Sequence, residues 1–300
     1  MAKDNNPSNQ LNEVIEIQEE SELLKFLTAR FPHKKRPLLK AVLSGGQIKV
    51  NDQPTTQFNQ VLKKGDEMVI NWAKPAKKVK LSHLNIIYED QHLIVIEKAE
   101  GLLSVASLKE KKKTAIQILK DHLAKVDPKA KVYVVHRLER EVSGILIFAK
   151  SPEVQEKLQD SWEKYVTDRK YIGVVEGRVK KEADTLRNFL VSNKNNQVFV
   201  TDTPEGATET ITHFKLIKQS NAFSLLEFRL ESGFKNQIRV QMQHYGHPVT
   251  GDKKYNSRKN PLSRVALHAS MIEMNHPVTG KLLKFELVAP ASFRNLVAKG

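Results

Sequence analysis

The chain of 300 residues contains no cysteine. Disulfides, thiolate nucleophiles and thiolate metal sites are thereby excluded, and a reducing compartment is compatible with the absence. Long apolar runs are missing as well. Ile145-Leu146-Ile147-Phe148-Ala149 is among the longest, far short of the roughly 20 residues that a membrane-spanning helix needs. The opening residues, Met1-Ala2-Lys3-Asp4-Asn5-Asn6-Pro7, have no apolar core of a signal peptide. No GxxxxGK[ST] or GxGxxG stretch supports a nucleotide-binding fold, and no repeat recurs at a fixed period. The expectation is a soluble, cytoplasmic protein that does not engage a membrane.

Acidic charge is the next shortage. Asp and Glu number 34 against 49 Lys and Arg, a net charge of +15. Such an excess points to a polyanionic partner. The charge is unevenly spread. Residues 1–20 are net −4, whereas residues 21–80 hold thirteen Lys or Arg against four Asp or Glu, a net +9. Metal ligands are sparse. His244 and His247 are three apart, with His268 and His276 further on, but the pair flanks Gly246 and Pro248 in an expected turn. No metal site is expected there.

Residues 1–12 are polar and Asn-rich and read as a disordered tail. A first compact unit is expected over 13–73. Leu23, Leu24, Phe26, Leu27 and Phe31 are helically spaced. Pro37 opens a second helix with Leu38, Leu39, Val42 and Leu43 on one face, and Gly45-Gly46 ends it. Strands follow at Ile48–Asn51, Val61-Leu62 and Met68–Ile70. Two basic helices followed by GQIKVND and VLKKGDEMVI resemble the S4 RNA-binding module. Lys34, Lys35, Arg36, Lys40 and Lys49 would then sit near one helix pair and neutralise phosphates. Residues 74–82 read as a linker, because proline and repeated lysine disfavour a packed element.

Beyond the linker, strand-like runs dominate: Ile86–Tyr88, Leu93–Ile96, Tyr133–Val135, Ile145–Phe148 and Tyr171–Val175. The clearest helix starts with Ser151 as N-cap and Pro152 in its first turn, and carries Val154, Leu158, Trp162 and Tyr165 on one face. Strands with irregular connections, rather than strict alternation with helices, imply an α+β domain over 83–295. Its sharpest feature is a charged loop between two apolar strands, His136-Arg137-Leu138-Glu139-Arg140-Glu141. Such a loop is a good place for a rigidly held functional group.

This loop with Val142-Ser143-Gly144 resembles the H-R-L-D-x-x-T-S-G signature of the RluA/RluD family of RNA pseudouridine synthases. IIYEDQHLIVIEKAEGLL (86–103), DRKYIGVVEG (168–177), GFKNQIRVQM (233–242), GHPVTGDKKY (246–255) and RVALHASMIEMNHPVTGKLLKFE (264–286) resemble further family segments in the family's order. The resemblance implies a mixed, largely antiparallel sheet flanked by helices. It implies breakage of the N1–C1′ bond of uridine, rotation of the uracil and rejoining through C5, with no cofactor and no metal. Glu139 stands where the family has its catalytic aspartate, Tyr171 where a tyrosine stacks on the target base, and Arg239 where a basic residue pairs with the carboxylate. Arg137 stands at the arginine associated with the vacancy left by the flipped nucleotide. Lys235, Asn236 and Gln237 fall in a segment expected to contact RNA. The partner implied is structured ribosomal or transfer RNA, bound by a monomer.

An ionised carboxylate could attack the sugar, attack the base or take the 2′ proton. A cation beside it favours that charge, and an aromatic face suits a base pulled from its stack. The sequence departs from the signature mainly at Glu139. One extra methylene moves a carboxylate by roughly 1 Å, and a misplacement of about 1 Å can cost around 10²-fold in rate. The alternative is therefore a catalytically impaired RNA-binding protein that keeps the fold. Glu141 is not expected to substitute, because in a regularly extended loop it would face another way. Val142 in place of threonine and Ala99-Glu100 in place of Pro-Ala are milder departures.

Overall fold

The computed structural model describes residues 12–34, 36–44, 47–51, 53–55, 57–72, 79–106, 114–125 and 127–298. Two compact units result, Met1–Lys77 and Lys78–Gly300. The division falls within residues 74–82. The expected tail over 1–11, Gly45-Gly46 and residues 74–78 lie outside the described residues.

The first unit contains β1 (Asn12–Glu16), β2 (Ser21–Glu22), α1 (Leu23–Arg30), α2 (Arg36–Ser44), β3 (Ile48–Val50), β4 (Gln53–Thr55), β5 (Val61–Leu62) and β6 (Glu67–Asn71). Four strands form one sheet in the order β1-β6-β3-β4, and β2 pairs with β5. β6 shows the alternation of a half-buried strand: Met68 and Ile70 are buried while Glu67 and Asn71 are exposed. The helices press Leu23, Leu27, Leu39, Val42 and Leu43 onto that sheet, with Phe31 just beyond α1. Two expectations are corrected. Asn12 begins a strand paired with Asn71 of β6, so it is not part of a tail. Leu38 is 45% exposed, because the buried stripe of α2 runs through Leu39, Val42 and Leu43 instead.

The second unit opens with β7 (Val79–Leu81), which pairs with β8 (Leu84–Glu89). The expected linker is thus a sheet edge over its last residues. β9 (Leu93–Lys98), α3 (Ala115–Leu123), β10 (Tyr133–Val134), β11 (Ser143–Ala149), α4 (Pro152–Asp160), α5 (Trp162–Tyr165) and β12 (Val166–Glu176) follow. Then come β13 (Ala183–Ser192), β14 (Val198–Thr201), β15 (Thr208–Gln219), β16 (Phe223–Leu230), α6 (Gln237–His244), β17 (Leu267–Asn275), β18 (Leu282–Glu286) and α7 (Ala291–Ala298). A 12-stranded sheet runs β14-β13-β15-β16-β12-β17-β11-β9-β8-β7, with β10 on β11 and β18 on β17. Among these pairs only β11 and β17 run parallel.

All seven residues of β11 are buried, as expected of a strand covered on both faces. Leu146 and Phe148 join one apolar cluster, Ile145 and Ile147 another. Gly144 lies at φ +120°, and a Cβ there would run into the carbonyl of Ala269, so the parallel pairing needs glycine. The helix capped by Ser151, whose Oγ accepts from Val154 N at 3.3 Å, does not continue to Tyr165 as the spacing suggests. It breaks at Ser161 (φ −135°, ψ 43°) and restarts as α5. The break lets the Trp162 ring lie 4.8 Å from that of His136. Among the described residues, no helix is long and apolar enough to cross a membrane.

Candidate active site

The charged loop leaves β10 and returns as β11, and it is fastened on both sides. His136 Nε2 accepts from the backbone N–H of Ile147 at 3.0 Å. That contact requires a neutral ring with its proton on Nδ1. Burial, helped by the charge of Arg169, pushes the pKa of His136 down to about 3. Ser104 Oγ donates to the Leu138 carbonyl at 2.7 Å and accepts from the Leu138 N–H at 3.2 Å. Gly101 N donates to the Arg140 carbonyl at 2.7 Å, and Arg140 Nε donates to the Gly101 carbonyl at 3.1 Å. Beneath them the fully buried Lys98 ammonium donates to the carbonyls of Ala99 and Leu102 at 2.9 and 2.8 Å. Burial pushes Lys98 down to about 8 against the opposing fields of Glu139 and Glu141.

Glu139 is half-buried, and its Oε1 accepts from the backbone N–H of Asn236 at 2.9 Å. Asn236 is the N-cap of α6 and lies in the left-handed region at φ +57°. The carboxylate therefore meets the N-terminal end of a helix, where free N–H groups favour negative charge. The expected pairing of Arg239 with Glu139 is corrected. Arg239 gives Nε and Nη2 to Asp252 at 2.5 and 2.8 Å, and Nη1 to Asn236 Oδ1 at 2.9 Å. Glu141 also approaches it, 3.5 Å from Nη1. Burial opposes the charge of Arg239, and Asp252 together with Glu139 and Glu141 outweighs it, so its pKa is raised. Glu141 faces the arginine because Val142 N closes a turn onto the Glu139 carbonyl at 3.1 Å. The loop does not run on regularly there.

A cleft of about 860 Å³ opens in front of Glu139. Tyr171, Arg137 and Lys235 line it, as do His136, Trp162 and Arg169. Burial pushes the Tyr171 phenol up to about 12, so it stays neutral and presents an apolar ring. Arg137 and Lys235 are exposed on the cleft wall. Asn236 and Gln237, expected to contact RNA, are buried instead. Asn236 Nδ2 donates to Tyr255 Oη, and Gln237 Nε2 donates to the Ile211 carbonyl and Thr212 Oγ1. Both position the start of α6.

Arg36, Lys40 and Lys49 are exposed in the first unit. Lys34 lies over the Trp72 ring, 4.3 Å from its centroid, and Lys35 lies outside the described residues. Sequence reasoning missed Lys98, Ser104, Arg169 and Asp252. Only Arg169 carried a usable signal: it is two residues from Tyr171 on one strand, hence on the same face. No three His, Cys, Asp or Glu side chains gather to hold a metal among the described residues. His247, His268 and His276 contact the Glu176 carbonyl, Ser143 and Asp90 respectively.

Residues 92–244 match the family model of RNA pseudouridylate synthase. The chain is 32% identical over 267 residues to the uncharacterised RNA pseudouridine synthase YhcT of Bacillus subtilis, covering 87% of each. It is 27% identical over 288 residues to ribosomal large subunit pseudouridine synthase D of Haemophilus influenzae, covering 90% of this chain and 88% of that one. In fold it is similar to human RNA pseudouridylate synthase domain containing 4, with a TM-score of 0.59 at 18% identity, over 71% of this chain and 92% of that one.

Proposed function

The chain belongs to the RNA pseudouridylate synthase family, and from that premise we propose that it isomerises chosen uridines to pseudouridine in structured ribosomal or transfer RNA. The observation that carries the reading is the shared cleft. The carboxylate of Glu139 and the ring of Tyr171 line one cavity large enough for a nucleotide. A uridine reaching a carboxylate there must leave its stack.

Glu139 is assigned the reacting carboxylate. Attack on C1′, attack on the base and removal of the 2′ proton all start from its ionised form. In each route the N1–C1′ bond breaks, the uracil turns, C5 bonds to C1′, and the proton lost from C5 is balanced by one gained at N1. Tyr171 is assigned as the platform on which the freed uracil rests. Arg239 is a positioning residue in this reading. It is held by Asp252 and in turn holds Asn236, whose N–H meets Glu139. Arg137 and Lys235 line the path of the RNA backbone. The first unit acts as an S4-like RNA-binding module, supported by its exposed Arg36, Lys40 and Lys49. The protein works as a cytoplasmic monomer.

The test is a map of pseudouridine in cellular RNA with the protein, without it, and with Glu139→Gln. Sites lost on deletion and not restored by Glu139→Gln support the proposal. A second reading, a silent RNA-binding protein, is favoured by glutamate at position 139 and by the commitment of Arg239 to Asp252. An unchanged map with RNA still bound would select it.

A further inference from the structure

Several cations around the cleft are already engaged, and Arg137 stands exposed to solvent on its wall. Arg239 is bound by Asp252, Arg140 by the Gly101 carbonyl, and Lys235 by the Asn196 carbonyl at 3.1 Å. Arg169 is different. It lines the cleft and is half-buried, yet among the described residues no carboxylate or carbonyl accepts from its guanidinium. The adjacent Asp168 is taken by Arg229 Nε at 2.8 Å and by the Arg169 backbone N–H at 2.9 Å.

The chain makes room for this unpaired group. The guanidinium lies over Gly233, where an added Cβ would come within 2.9 Å of Nη1 and 3.0 Å of Nη2. Arg169 and Tyr171 project from the same face of β12. Arg169, His136 and Tyr171 line the same cleft, and the charge of Arg169 is felt at both rings. Neither neighbour can offset it, since His136 is held neutral by Ile147 N–H and Tyr171 is a neutral phenol. A partly shielded cation with no carboxylate paired to it is unfavourable. A planar guanidinium with its donors free suits an oxyanion with two acceptor oxygens.

We propose that Arg169, seated on Gly233, is the anion site of this cleft and takes a phosphodiester of the RNA next to the uridine that enters it. The inference rests on the RNA reading given above and adds the group that fixes the backbone while Tyr171 holds the base. A phosphodiester is favoured over a uracil carbonyl because it offers two charged oxygens to the guanidinium's free donors.

The probe is a stem-loop RNA with a single loop uridine, made with ordinary phosphates or with neutral methylphosphonates on either side of that uridine. Arg169→Gln is expected to weaken binding of the ordinary RNA about tenfold or more and to reduce the slope of log K against log salt by about 0.7. With the methylphosphonate RNA the two proteins should bind alike. Gly233→Ala keeps every charge and displaces only the guanidinium, so it should weaken binding in the same direction. Thermal unfolding of each variant checks that the fold is intact. Wild-type affinity and salt slope in Arg169→Gln would overturn the proposal, and so would an equal methylphosphonate penalty in both proteins. An RNA that shows the Arg169-dependent slope but yields no pseudouridine counts against the enzymatic reading and leaves the anion site standing.

Discussion

Arg239 gives two of its three nitrogens to Asp252, and both residues are at most 4% exposed. Only Nη1 is left to face Asn236 and Glu141. The order of the helix start that meets Glu139 thus depends on a carboxylate that never enters the cleft. Removing the charge of Asp252 strands a buried cation, which typically costs about 3–5 kcal/mol. Asp252→Asn should lower unfolding stability by that order in a urea titration. A loss below about 1 kcal/mol would mean that Glu141 takes over the pairing.

Glu139 accepts from the Asn236 N–H through Oε1. Glu139→Asp draws the carboxylate back by roughly 1 Å and restores the length used in the family signature. The expected result is a rise in pseudouridine formation of about 10²-fold on a substrate RNA, read in single-turnover assays. Equal rates would show that the Asn236 contact has adapted the pocket to glutamate.

Several of these features were legible in the residues, and others were not. The apolar strands around His136–Glu141 and the central place of the loop follow from pattern, since β11 is buried on both faces. The orientation of Glu141 does not. Alternation assumes an extended chain, and the turn closed by Val142 N breaks it. The partner of Arg239 was equally hidden. A guanidinium reads the same in sequence whether it meets Glu139 or Asp252, and only the packing of α6 against residues 249–255 decides. Asn236 and Gln237 look like surface polar residues, yet both are buried, Asn236 against Tyr255 and Arg239 and Gln237 against Ile211 and Thr212 of β15. Leu38 shows the same limit at the scale of one helix turn.

His136 sets a pH dependence. Its pKa is about 3 in the folded protein and about 6.5 when unfolded. Between those values the unfolded chain binds a proton that the folded chain refuses, so stability is lost as pH falls through that window. The stability gap between wild type and His136→Gln should narrow by about 2 kcal/mol on going from pH 7 to pH 5. Nitrogen NMR of the ring should show Nε2 unprotonated at pH 5. Protonation there near pH 6 would contradict the contact with Ile147.

Gly144 tests the sheet. Gly144→Ala places a methyl group against the Ala269 carbonyl at a backbone φ that alanine avoids. The variant should lose at least about 3 kcal/mol of stability or fail to fold, as judged by circular dichroism and melting. Ser143→Ala, one residue away, removes only the hydroxyl contacts with His268 and Arg264 and should stay folded.

The first unit is tested by charge alone. Replacing Arg36, Lys40 and Lys49 together with glutamine should lower the salt slope of RNA binding by about 2 or more. A filter-binding titration over a range of salt reads it. An unchanged slope would remove these side chains from the phosphate contacts.

The parallel pairing of β11 with β17 joins residues that emerge from synthesis far apart. Ser143 and His268 are separated by 125 positions, and β17 also supplies a neighbour to β12, the strand of Tyr171 and Arg169. During translation the loop that carries Glu139 exists long before the strand that braces it. A nascent chain that has completed its basic first unit still has no place to hold Glu139. The proposed chemistry is therefore expected among the last properties the growing polypeptide acquires, and loss of the segment from Leu267 onward should abolish it even though every residue assigned to the reaction remains.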